Sequence, residues 1–215
     1  MGPLPGAGAI ADQLAHLLGG VVLVLSFVLL YQRRLSAVID TYAMQAWVLA
    51  AAALWQGWVQ DSLALYITGA ITVGTMGVAV PIALRHIVRR QRIHGTVETM
   101  LGIFPGMAAG VALVALAVLL VRPATMDSPV LAREDMALAL SVVLLGLLVM
   151  ITRRAVVLQV VGFISVGNGL LLGIVGVRGI PLVAALSMAL LVLLGAAVSG
   201  VFFFGIHERL GGTRR

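Results

Sequence analysis

Apolar runs of the length that carries a helix across ~30 Å of hydrocarbon recur along nearly the whole chain, broken by short polar connections. Reading these runs between charges predicts seven spans: Leu14–Tyr31, Ala37–Trp58, Leu63–Leu84, Ile103–Val121, Met136–Thr152, Ala155–Val177 and Ile180–Ile206. In lipid every backbone N–H and C=O must be bonded internally, so each run is expected to be a helix. The expected fold is an all-α, polytopic transmembrane bundle of about seven spans. The connections are too short to fold independently, which makes residues 1–215 a single membrane domain. Its first four spans fall within 14–121 and its last three within 136–206.

Composition supports this pattern. With 61% hydrophobic residues, 10% charged residues and a mean hydropathy of +1.14, the chain has too little polar surface to coat a water-soluble globule. The first apolar run follows no positively charged segment and is not closed by a small-residue cleavage site, so it is expected to be retained.

Charge adds an orientation. All fourteen basic residues are arginine. With seven spans, Arg33, Arg34, Arg85, Arg89, Arg90, Arg92, Arg153, Arg154, Arg209, Arg214 and Arg215 fall on one side; only Arg122, Arg133 and Arg178 fall on the other. The positive-inside rule then puts the N-terminus outside and the C-terminus inside. Merging or splitting a span would scatter the clusters over both sides. The fourth connection, Arg122 to Asp135, contains Pro123, Asp127, Pro129 and Glu134 and reads as an external loop dividing two halves. Spans one to three and spans five to seven each run out-to-in as three helices whose first turn is basic, a pattern compatible with a parallel three-helix repeat with the fourth span inserted between. The sequence pI near 11.3 would suit nucleic acid, but the arginines border apolar spans and form no stripe interleaved with aromatics, so no nucleic-acid partner is expected.

The candidate chemistry is sparse. Without cysteine the chain offers no disulfide, thiolate zinc site, cysteine-ligated iron–sulfur cluster or nickel–iron centre. His16, His86, His94 and His207 lie at or near helix ends and form no facing pair to bracket a haem. No cofactor, metal ligand or catalytic residue is therefore expected in this chain. None of the eight acids falls near a span centre; Asp40 comes nearest and is expected in a local interfacial pair with Arg33 or Arg34. The polar interior consists of Gln45, Thr68, Thr72, Thr75, Gln159, Ser165, Asn168, Ser187 and Ser199. Amides and hydroxyls can bond between helices or orient water, but they carry no proton charge across a membrane. Asn168 and Gln45 stand out, with Thr75 and Ser165 beside them, and interhelical bonding is the expected role. Gly106-x-x-x-Gly110, Gly169-x-x-x-Gly173 and the run Gly195, Gly200, Gly205 predict close helix contacts within the chain. Pro81, preceded by Gly69, Gly74 and Gly77, predicts a bend in the third span.

Three stretches, RRLSAVIDTYAMQAWVLAAAAL (33–54), GTMGVAVPIALRHI (74–87) and GFISVGNGLLL (162–172), followed by a last long apolar run, resemble hydrogenase-4 component E, the small membrane subunit of formate-hydrogenlyase-type complexes. The resemblance spans nearly the whole chain on short, lipophilic motifs. It implies that the last three helices are similar to the K subunit of respiratory complex I and to the C subunit of multisubunit cation/proton antiporters. The chain also departs from that pattern. Met76 stands between Thr75 and Pro81 where relatives commonly carry lysine, Gly167 precedes Asn168 where glutamate is usual, and the last span has no acid. Three positions that titrate in relatives are neutral here, which argues against a direct proton relay.

The resemblance implies a non-catalytic membrane subunit of an energy-converting hydrogenase-like or complex-I-like assembly in a bacterial inner membrane. Its partners would be antiporter-like subunits and the membrane anchor of the redox arm, and its remaining surroundings the lipid bilayer. A cation/proton antiporter subunit without a redox partner and a stand-alone small transporter are the alternatives.

Overall fold

The computed structural model describes residues 7–90, 102–124 and 130–176. These residues are helical throughout apart from short turns, and no strand is formed among them. The elements are α1 (Ala7–Tyr31), α2 (Leu35–Val59), α3 (Leu63–Thr72), a π-helical segment (Val73–Ala79), α4 (Val80–Arg90), α5 (Ile103–Ala124), α6 (Val130–Thr152) and α7 (Val156–Gly176). Six helices, counting α3 through α4 as one, are long and apolar enough to cross a membrane. They coincide with the first six expected spans, and the chain is a multi-pass membrane protein on that ground. The seventh, Ile180–Ile206, lies outside the described residues, as do Gly195, Gly200, Gly205, Ser187 and Ser199.

The boundaries differ most around the fourth connection. Helix α5 runs on to Ala124 and takes Pro123 into its last turn, while α6 begins at Val130 and takes Arg133, Glu134 and Asp135 into its first turns. The fourth connection is shorter than the expected Arg122-to-Asp135 loop, because charge does not by itself end a helix: Arg122 sits in the last turn of α5, where a cation complements the helix dipole.

Two hairpins form the centre: α1 packs on α2, α6 packs on α7, and the pairs meet through α1 against α6 and α2 against α7. The α3–α4 arm lies along α2, and α5 lies against α6 and α1. The closest approach is between α6 and α7. A Cβ at Gly162 would sit 2.7 Å from the Met150 nitrogen, and one at Gly169 2.7 Å from the Val143 nitrogen. Only a residue without a side chain lets these backbones touch, as small residues do between membrane helices. Gly173 and Gly110 likewise face neighbouring helices, whereas Gly106 meets nothing within 4 Å, so the expected Gly106–Gly110 face is half used.

Turn chemistry closes the α2–α3 hairpin. Asp61 takes a left-handed φ of 48°, and the Ser62 N–H donates to the Gly57 carbonyl at 3.0 Å, satisfying one of the orphan carbonyls of α2. In the third span the expected bend takes the form of the π segment immediately before Pro81. Widening the helix there re-bonds the backbone that a proline disturbs; the Val80 N–H donates to the Thr75 carbonyl five residues back.

Candidate functional site

The polar residues in the spans fall into two kinds. Thr41, Thr68, Thr72, Thr75, Ser141 and Thr152 each donate their hydroxyl to the carbonyl four residues earlier, at 2.6 to 2.8 Å. Such hydroxyls are satisfied within their own helix and, among the described residues, bond nothing across the bundle. Thr75, one of the four candidates, belongs here: it bonds Ile71 from within the π segment and does not reach the others.

The amides behave differently. Gln45 is fully buried on α2, on the stripe that also buries Tyr42, Leu49 and Ala53. Its Nε2 donates to Ser26 Oγ on α1 at 2.8 Å, and Ser26 Oγ in turn donates to the Val22 carbonyl at 2.9 Å. From α7, Ser165 Oγ and Asn168 Nδ2 both donate to Gln45 Oε1, each at 3.3 Å. Ser165 and Asn168 lie three residues apart on one face of α7, so one acceptor can take both. The result is a buried, three-helix network with Gln45 as its hub. Sequence reasoning named Gln45, Asn168 and Ser165 and the structure joins them; it named Ser26 nowhere. Asn168 Oδ1 and the Tyr42 hydroxyl are buried with no hydrogen-bond partner among the described residues.

Met76 and Pro81 belong to an adjoining layer. Met76 is buried in one apolar cluster with Tyr42, Ala46 and Ile39 of α2 and Val161 and Ile164 of α7. Pro81 and Gly167 are buried as well. The Met76 thioether adapts to its apolar surroundings, where an ammonium would need a partner.

At one end of the bundle the arginines gather. Arg153 is buried in the α6–α7 turn and donates Nη2 to the Leu30 carbonyl at 2.6 Å, with the Leu29 carbonyl at 3.4 Å, so it satisfies the C-terminal carbonyls of α1. Burial, and after it the neighbouring Arg33 charge, hold its guanidinium below the ordinary arginine value. Gln159 Nε2 donates to the Arg153 carbonyl at 3.0 Å and fixes the turn. Asp40 forms an interfacial pair, but its partner is Arg85 on α4, at 2.6 Å, and not Arg33 or Arg34. Those two precede α2, while Asp40 lies in its second turn facing α4, so the salt bridge joins neighbouring helices.

At the opposite end sequence reasoning missed a cluster. His16 Nδ1 on α1 lies 2.9 Å from Asp135 Oδ1, and its Nε2 lies 3.5 Å from Glu134 Oε2, both on α6. Beside them a cavity of about 420 Å³ opens between α1, α5 and α6, with Arg122 and Arg133 on its wall above Leu23, Val114 and Val118. The only local signal was the acid pair at the start of α6, and nothing in it pointed 119 residues back to His16. Among the described residues no group of three His, Asp or Glu is arranged to hold a metal ion.

Among the described residues neither end nor the centre forms a catalytic constellation. The central network can hold three helices in register and orient a polar partner at Asn168 Oδ1. Comparison with family models, curated proteins and solved structures finds no match.

Proposed function

We propose that this chain is a non-catalytic membrane subunit of an energy-converting hydrogenase-like or complex-I-like assembly, set between antiporter-like subunits and the membrane anchor of the redox arm. One observation carries the reading. The three stretches that resemble hydrogenase-4 component E are far apart in sequence, yet they supply one buried cluster: Tyr42 and Ala46 from the first, Met76 and Val80 from the second, Ile164 from the third. The segments that bear the resemblance are thus segments that pack together, as a shared fold would require.

The neutral interior supports a positioning role over a relay. Met76 and Gly167 stand at the centre where relatives carry charge, and the hub at Gln45 is spent on bonds between helices. The same reading places the protein in a bacterial inner membrane with its N-terminus outside, since Arg33, Arg34, Arg85, Arg153 and Arg154 lie at one end of the bundle. Purification from native membranes in mild detergent tests it. Large antiporter-like proteins together with a nickel–iron or quinone-reactive arm are expected to accompany the chain. Antiporter proteins alone would move it to a cation/proton antiporter, and recovery without companions would overturn the subunit reading in favour of a small transporter.

A further inference from the structure

The α1–α2 and α6–α7 turns each present two arginines, and the packing of the hairpins brings the turns together. The backbone of Arg34 and that of Arg153 are each extended, and Arg153 Nη2 reaches the Leu30 carbonyl, three residues before Arg33. Three exposed guanidinium groups and one buried one therefore gather at this end of the bundle. Like charges gathered in this way repel, and no acid answers them: among the described residues Arg33, Arg34 and Arg154 are exposed and form no ion pair, and the nearest acid, Asp40, is held by Arg85.

Two helices begin at this surface. Neither α2 nor α7 has an acid in its first turn, and Arg34, the N-cap of α2, makes no side-chain cap. The first N–H groups of a helix and the positive end of its dipole favour an anion. Arg153 supplies the independent sign. It is 1% exposed, its Nη2 is committed to α1, and its Nη1 is buried with no partner among the described residues. A buried guanidinium N–H without an acceptor is costly, and an oxyanion seated between the turns would accept from it.

We propose that the paired arginine turns bind a phosphate oxyanion, supplied in the membrane by the headgroup of an anionic phospholipid. Arginine suits this ligand because its planar fork meets phosphate oxygens two at a time. Basic pockets between membrane helices are a recurrent form of headgroup site. The site is independent of the subunit assignment, since it needs only the two hairpins.

The test uses the full chain, stripped of lipid and returned to nanodiscs of phosphatidylcholine with or without phosphatidylglycerol. Native mass spectrometry reads retained lipid and phosphorus NMR reads an immobilised headgroup. Phosphatidylglycerol is expected to be retained by the wild type, and about tenfold more weakly by Arg33→Gln/Arg154→Gln, whose exposed side chains leave folding intact. Arg89→Gln, an exposed arginine on α4, should bind as the wild type does. If inorganic phosphate displaces the lipid, free phosphate shares the site; if it does not, the headgroup is the specific source. Equal retention by the double variant overturns the proposal. Equal loss in Arg89→Gln also overturns it, because the attraction would then be diffuse surface charge. Binding of an acidic peptide with no retention of phosphatidylglycerol would assign the surface to a protein partner instead.

Discussion

Replacing Gln45 by leucine removes the hub of the central network while leaving its volume nearly filled. Three side-chain hydrogen bonds go with it, one to Ser26 and two from α7. Interhelical hydrogen bonds in membranes average about 0.6 kcal/mol, so the loss should be roughly 2 kcal/mol. Asn168→Leu removes only one of those bonds and leaves Gln45 with Ser26 and Ser165, so it should cost about 0.6 kcal/mol. The informative quantity is the ratio of about three between the two variants. Reversible unfolding in mixed micelles, followed by steric trapping of a separated α1 and α7, measures both on one scale. A larger loss for Asn168→Leu than for Gln45→Leu would refute the hub, and it would place the weight on whatever meets Asn168 Oδ1. In the assembly proposed above the same variant separates structure from function. A structural Asn168 leaves turnover normal in complexes that form, whereas a water-orienting Asn168 leaves assembly intact and uncouples proton movement.

Gly162→Ala should destabilise the chain by about 1–3 kcal/mol, because its Cβ would stand 2.7 Å from the Met150 backbone, while Gly106→Ala should be silent in the same unfolding assay. Asp61→Gly should stabilise by about 0.5–1 kcal/mol, since glycine accepts the left-handed backbone without steric penalty, and a fall in stability would show that the Asp61 side chain matters. The chain reconstituted alone in liposomes should pass no protons above background, as read by an enclosed pH dye; flux that persists after removal of every companion protein would show that neutral polar groups suffice. A C-terminal alkaline phosphatase fusion should be inactive, and periplasmic activity would reverse the orientation.

What the sequence disclosed was whatever depends on position along one helix. Hydropathy located the first six spans, and the ends beside Tyr31, Trp58 and Thr152 fell within a residue or so of the helix ends. The amides Gln45 and Asn168 stood out because an unpaired amide in lipid is costly, so each had to find a partner, and they found each other. What stayed hidden depends on which helices are neighbours. Asp40 meets Arg85 rather than the arginines beside it in sequence, His16 meets two acids of α6, and Arg153, one of a pair that reads as exposed interfacial charge, turns inward to the end of α1. Thr75 misled for the opposite reason: a threonine can satisfy itself on its own helix, so its presence in a span implies no contact.

The π segment between α3 and α4 acts as an inserted residue in an otherwise continuous helix. An α-helix advances about 100° per residue, so each extra residue accommodated in a wide turn rotates everything after it by that amount. Arg85 faces Asp40 only in the rotated frame. Deleting Gly74, which has nothing within 4 Å of its Cβ position, would let the wide turn close to ordinary α geometry and leave Arg85 facing Asp40, because the lost residue and the lost widening cancel. Closing the turn at full length would instead carry Arg85 round the helix away from α2. The π segment thus lets the third span hold one residue more than its phase requires.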